Sequence, residues 1–299
     1  MRTYGFIRIA AGLAFAIVLT PASSALAQAV ITVDGMSTPE SALHDPEADV
    51  YLVSNINGAP GDKDDNGFIT RVSPDGDILD LKWIDGADDD VTLHGPKGSA
   101  VHGNRFYVAD IDVVRVFDRS SGAPVATWEV SNAGFLNDVA VGADGTVYVT
   151  DTGITITAQG FQPTGTAAIY RFDTNGNAEA IARGDALSLP NGVIEAPQGL
   201  VMVPVGSNAV MTVAADGTLS TLVELPQGQL DGVVVAADGS LVVSSFGANV
   251  IYQVTPSGDV IELISDTPAA DIGIDVGRSR VLIPQLDTNR LLIVPVELE

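Results

Sequence analysis

The stretch Leu136-Asn-Asp-Val-Ala-Val-Gly-Ala-Asp-Gly-Thr-Val-Tyr-Val-Thr-Asp151 decides the fold. Two short strand-like runs, Asp138-Val-Ala-Val141 and Val147-Tyr-Val-Thr150, flank Gly142-Ala-Asp-Gly145. Asp-Gly accepts positive φ at little cost, so the stretch reads as two antiparallel strands joined by a tight turn. The second run recurs as Val50-Tyr-Leu-Val53, Phe106-Tyr-Val-Ala109, Leu200-Val-Met-Val203, Ser240-Leu-Val-Val243 and Arg280-Val-Leu-Ile283. Counted from its second residue, the run falls at 51, 107, 148, 201, 241 and 281, in steps of 56, 41, 53, 40 and 40. A step near 40 residues is the size of one four-stranded propeller blade. Two more strands follow each run, as in Ile169-Tyr-Arg-Phe172, the turn Asn175-Gly176 and then 178–181. Asp75-Gly76, Asp216-Gly217 and Ser257-Gly258 repeat that turn.

The chain therefore reads as all-β: a six-bladed β-propeller of four-stranded blades over residues 28–299, preceded by a separate segment at 1–27. A β-sandwich is the rival, but its strands do not repeat at a blade-sized step. The last blade, from about Ala270, runs out of chain after its third strand near Val296. Val30-Ile-Thr-Val33, at the mature N-terminus, is placed to supply the missing strand, which would leave few free edges. The two long steps imply insertions, assigned to 57–66, 85–92 and 152–166 and read as polar or Gly-rich loops.

Residues 1–27 have the pattern of a secretory signal. Arg2 and Arg8 precede an apolar run from Ile9 to Leu19, Pro21 breaks it, and Ala25-Leu26-Ala27 gives a small-residue cleavage site. The run is shorter than the ~20 residues a bilayer span needs. The expected product is periplasmic or extracellular, with no stable membrane insertion after cleavage. Its net charge, −24 for the whole chain, becomes more negative once the two arginines leave. Nucleic acid is excluded as a partner, because phosphate contacts need clustered Lys and Arg. A small-molecule substrate or ligand, and cations, remain. With no Cys, packing rather than disulfides holds the fold, and thiolate chemistry is absent.

The first strand of a propeller blade lines the central channel. Aligning the repeats brings one position per blade into register, just before that strand: Glu40, Lys97, Asn137, Asn191, Asp231 and Ala270. Two carboxylates and two amide carbonyls converging from separate blades make an oxygen cage suited to a hard divalent cation, Ca²⁺ above all. Two carboxylates held together would repel without a cation or a proton between them. Taken singly, Asn and Asp at strand entrances also serve as turn caps.

The segments Pro39-Glu-Ser-Ala-Leu-His-Asp-Pro46, Leu136–Val141 with Val147–Thr152, Leu189-Pro-Asn-Gly-Val193 and Leu230-Asp-Gly-Val-Val234 with Asp238-Gly239 carry a family likeness. In order and spacing they resemble the senescence marker protein/gluconolactonase (regucalcin, LRE-like) family of six-bladed propellers. The resemblance implies hydrolysis of sugar lactones or related esters. It also implies a divalent metal held by Glu40, Asn191 and Asp231, with Asn137 beside metal and substrate. The family's Glu-Gly-Pro-x-Trp in blade one is here Glu40-Ser-Ala-Leu-His44, and Lys97 points toward the same axis. That ammonium is suited to a substrate carboxylate, or to taking over part of the metal's charge. The catalytic candidates are thus Asp231 or His94 as proton acceptor and Asn137 as orienting group, with Lys97 and Asn137 as substrate contacts. The alternative is a binding propeller without chemistry.

Asp62-Lys-Asp-Asp-Asn-Gly67 opens like a calcium loop, but Ser73 stands where an EF-hand needs Glu, so a solvated loop is the better reading. Asp110, Asp112 and Asp151 close second strands and read as caps near a channel mouth. Signatures of serine hydrolases, zincins and nucleotide-binding proteins are absent from the sequence.

Overall fold

The computed structural model describes residues 1–2, 29–157 and 160–298. The segment read as a secretory signal lies almost wholly outside them. Six four-stranded antiparallel sheets form the ring, and in blades 1 to 5 the strands run from the axis outward in chain order. In blade 1 the strands are Pro39–Asp45, Val50–Asn55, Phe68–Val72 and Ile78–Asp85. Among the described residues the helical segments are two 3₁₀ turns, Asp185–Leu187 and Leu286–Thr288. No described helix is long and apolar enough to cross a membrane.

The burial pattern explains why the second strands carry unbroken apolar runs. Each is covered by a neighbouring blade on both faces, so Val50–Asn55 is buried at every residue, whereas the outer strand Ile78–Asp85 is mostly exposed. A strand sandwiched in this way loses the in-out alternation of a half-buried one. The core is correspondingly divided into six clusters, one per blade interface. Leu52, Ile69, Phe106 and Phe117 fill the interface of blades 1 and 2. Trp128 stacks on Phe172 between blades 2 and 3. Away from the strand-entrance face, Arg119 of blade 2 reaches Asp45 and Glu47 of blade 1, and Arg278 of blade 6 reaches Asp49.

The ring closes as the chain ends predicted. Ile31–Asp34 is the outermost strand of blade 6, paired antiparallel with Arg290–Pro295, with Ile31 opposite Ile293 and Val33 opposite Leu291. Blade 6 thus combines three strands from the C-terminal end with one from the N-terminal side. Of the three insertions, 152–166 is not a plain loop. It contains a hairpin, Ile154–Thr157 paired with Gly160–Pro163, that stands apart from the blade 3 sheet.

Val33 is buried in the cluster that joins blades 6 and 1, while Thr32 beside it is exposed. Val33→Asp places an unpaired charge in that cluster and should lower stability by about 3 kcal/mol. Thr32→Asp should stay within about 0.5 kcal/mol of the parent. Urea midpoints of the two variants check this; equal losses would contradict closure by this strand.

Candidate functional site

Each inner strand of blades 1 to 5 carries one extra residue near its start. The ladder with the second strand is offset between Pro39 and Ser41, Pro96 and Ser99, Leu136 and Val139, Pro190 and Val193, and Leu230 and Val233. This is a β-bulge repeated five times, and a bulge frees a residue from the ladder and re-aims its side chain. The residues within it are Glu40, Lys97, Asn137, Asn191 and Asp231. All five line one cavity of about 220 Å³ at that end of the channel. They were expected just before the inner strands; they sit instead at the second position inside them. The sixth expected position, Ala270, does not line the cavity, and its carbonyl accepts the Ser244 hydroxyl.

Three of these residues share a backbone device. Thr38, Leu189 and Gln229, each two residues before Glu40, Asn191 and Asp231, have φ of 49°, 62° and 56°. A non-glycine residue in the left-handed region is uncommon, and such strain concentrates where a structure over-determines a functional geometry. Blades 2 and 3 solve the same approach differently. Asp110 accepts the backbone N–H groups of His94 and Gly95, and Asp151 those of Gly134 and Phe135. Asp110 and Asp151 are therefore strand-end caps, and Asp112 pairs with Lys63 in the polar loop of blade 1.

A second tier lies one residue further along each strand: Ser41, Gly98, Asp138, Gly192, Gly232 and Asp271. The glycines make room for their neighbours. A Cβ on Gly232 would stand 2.5 Å from Asp271 Oδ1, and one on Gly98 would collide with Asp138. Asp138 accepts the N–H groups of Val139 and, across the blade boundary, Val193, each at 2.7 Å. Asp271 accepts the Ser41 hydroxyl at 2.6 Å. Sequence reasoning missed both aspartates. Their signal was present in Asn137-Asp138 and Ala270-Asp271, immediately after the aligned positions.

The result is four carboxyl groups around one channel. Burial and the charges of Asp231 and Asp271 push Glu40 well above the usual carboxylate range. Burial and Asp271 raise Asp231 to about 8, and burial raises Asp271 to about 7. Burial likewise holds Asp138 high, with Asp271 adding to it. Glu40 Oε2 is buried without a hydrogen-bond partner. Lys97 is 1% exposed; its ammonium donates to the Gly95 carbonyl at 3.0 Å and sits 4.2 Å from the centre of the Phe135 ring. Burial lowers its pKa, which Glu40 and Asp110 partly oppose. Asn191 Nδ2 donates to Asp231 Oδ1 at 3.0 Å, and Asn137 Nδ2 to the Thr152 hydroxyl at 3.0 Å.

The set fits a hard cation in three respects: its donors are oxygens, its carboxyls crowd one another, and one carboxylate oxygen is orphaned in a buried place. It is a mixed set, since among the described residues no three His, Asp or Glu side chains are grouped as metal ligands would be. His94 stands apart. It does not line the cavity, and its Nδ1 accepts the Asp65 N–H at 3.1 Å.

The fold is shared with solved structures at low sequence identity. A gluconolactonase from Xanthomonas campestris aligns with TM-score 0.65 and 18% identity, over 90% of this chain and 89% of that one. A calcium-binding protein, regucalcin, from Agrobacterium tumefaciens aligns with TM-score 0.64 and 15% identity, over 88% and 92%. A streptogramin B lyase aligns with TM-score 0.62 and 12% identity, over 90% and 98%. Comparison with curated proteins gives no significant match. The family model for the SMP-30/gluconolactonase/LRE-like region, in contrast, matches residues 65–272, and with its bulged inner strands converging on one cavity the chain belongs to that family.

Proposed function

We propose that the protein is an exported, divalent-cation-dependent hydrolase of lactones or related esters. The observation that carries this reading is the convergence of Glu40, Asn137, Asn191 and Asp231 on one cavity, beside an unpaired Glu40 oxygen. Glu40, Asn191 and Asp231 would hold the cation, with Ca²⁺ the best match to an all-oxygen set. Bound there, it would polarise the substrate carbonyl and make water more acidic.

The chain's own residues supply the rest. Asn137, fixed through Thr152, presents its amide to the substrate. Asp231 is the better proton acceptor, because it lines the cavity and His94 does not. In hydrolysis the water oxygen bonds to the acyl carbon, the ring C–O bond breaks, and the ring oxygen takes a proton to give a hydroxy acid. The calcium-binding regucalcin and the gluconolactonase among the fold relatives support this reading by analogy. The signal-like 1–27 segment supports action in the periplasm or outside the cell on a small molecule, with no nucleic acid and no stable membrane insertion.

Metal analysis of the purified protein should find about one divalent ion per chain. Chelation should abolish turnover in a screen of lactones and aryl esters, and cation should restore it. Asp231→Asn combined with Asn191→Ala should reduce kcat/KM by ~100-fold or more, the range seen when a charged transition-state contact is lost. Full activity in that double variant would overturn the proposal. The buried Lys97 favours a second reading, a propeller that binds a ligand without chemistry. Under that reading the protein takes up no divalent ion and no ester is turned over.

The raised carboxyls also set a pH dependence. The folded, cation-free protein keeps protons on Asp231 and Asp271 up to about 8 and 7, whereas the unfolded chain releases them in the ordinary carboxylate range. Folded molecules then bind more protons than unfolded ones across that window, so stability falls as pH rises from about 4 to about 8. Thermal midpoints of chelated protein should decline over this range, and added Ca²⁺ at pH 8 should reverse the decline. A flat profile would contradict the buried carboxyl cluster.

A further inference from the structure

Above the polar ring the cavity has a second, apolar tier that also repeats by blade. The residue directly after each second strand is Ile56, Ile111, Thr152, Val205, Phe246 and Leu286 in blades 1 to 6. Five of the six are apolar. All except Ile111, which is buried, line the cavity. The exception to the apolar rule is Thr152 in blade 3. That is the blade carrying the inserted hairpin, which delivers Ile154, Ile156 and Phe161 to the same wall. The hairpin thus continues the collar where the blade repeat interrupts it. Phe161 is 63% and Phe246 42% exposed, a large cost in apolar surface unless a ligand covers them.

We infer that this collar selects an uncharged lactone or ester with an aliphatic or aromatic body, and disfavours a polyhydroxylated one. The inference rests on the hydrolase reading for the identity of the head group, and on the collar for the body. Above the ring the polar wall residues are Thr152 and Gln229. The Thr152 hydroxyl is already engaged, donating to the Pro190 carbonyl and accepting from Asn137. A sugar lactone would bring hydroxyls against Phe246, Leu286 and Phe161 and lose their hydration without replacement. An anionic ligand would face Glu40 and Asp231 in the cavity wall of a chain of net charge −24, while the Lys97 ammonium is held by Gly95 and Phe135. An uncharged carbonyl head meets neither penalty, and each methylene behind it gains by leaving water.

The test separates binding from turnover. Calorimetry with 2-alkylcyclopentanones, which cannot be hydrolysed, reads the collar alone; γ-lactones with the same alkyl chains and glucono-δ-lactone read catalysis. Each added methylene that reaches the collar should tighten ketone binding about three- to fourfold, the factor equivalent to full burial of one methylene. Phe161→Ser with Phe246→Ser, both at exposed positions, should flatten that slope. KM for the γ-lactones should fall along the same series, and glucono-δ-lactone should be the poorer substrate. Affinity independent of chain length, or a preference for the sugar lactone, overturns the inference. Chain-length-dependent ketone binding without hydrolysis of any lactone supports the collar and refutes the hydrolase reading instead.

Discussion

One extra residue in the inner strand of each of blades 1 to 5 is the constraint on which the channel depends. Inner strands converge on the axis, where neighbouring backbones come close enough for Ser41 and Asp271 to form a parallel bridge across the ring closure. A regular ladder would alternate side chains between the two blade interfaces and leave none directed along the axis. The bulge breaks that alternation. It turns Glu40, Lys97, Asn137, Asn191 and Asp231 into the cavity, and it makes the next residue the one that meets the adjacent blade. That second residue is accordingly glycine, or a small polar or acidic side chain with a hydrogen bond waiting for it. The hydroxyls of Thr150 and Ser244 serve the same seam: each accepts an N–H of its own blade and donates to a carbonyl of the next.

These constraints explain what could be read in the chain beforehand. The blade repeat was legible because every second strand is buried on both faces, and burial on both faces writes an apolar run. Strand closure was legible because blade 6 lacks a fourth strand and Ile31–Asp34 is the segment left over. The ring residues were legible because repeats of one backbone keep one register. Their neighbours were not: whether Asp138 faces solvent, an interface or the channel depends on the bulge, which the sequence marks only by Gly98, Gly192 and Gly232 at the equivalent positions. The hairpin at 154–163 escaped for a different reason. Its Thr and Gly content resembles a loop, and the alternation in Ile154-Thr-Ile-Thr157 is too brief to outweigh that. His94 looked close to the site because it is three residues from Lys97, but the chain enters the bulge between them, and Asp110 fixes the backbone so that the imidazole meets the blade 1 loop.

The site opposes two environments over a short distance, a polar floor and an apolar collar. The floor holds carboxyls at high pKa, a condition that needs low polarity around them. The collar supplies part of that low polarity. Removing water from the cavity strengthens every charge interaction at the floor, so the same apolar residues that would receive a ligand's body would also intensify the attraction of the floor for a bound cation. Under the proposed function, substrate selection and metal affinity would therefore be coupled through the collar rather than encoded by separate residues.

An ammonium in the channel argues against a cation site, and the surroundings of Lys97 answer that argument. An ammonium facing the same channel would compete with a divalent ion if it paired directly with Glu40. It forms no ion pair among the described residues; it donates to Gly95 and lies on the face of Phe135. Both partners are themselves anchored from behind, Gly95 through Asp110 and Phe135 through Asp151. The ammonium is thus tethered on the side of blades 2 and 3, and Glu40 Oε2, from blade 1, keeps its lone pairs unspent. From there Lys97 contributes a positive potential that partly offsets the repulsion felt by Glu40. One fixed charge offsets only part of four carboxyls; protons meet the remaining deficit when the pH is low, and under the proposed function a cation would meet it when the pH is high.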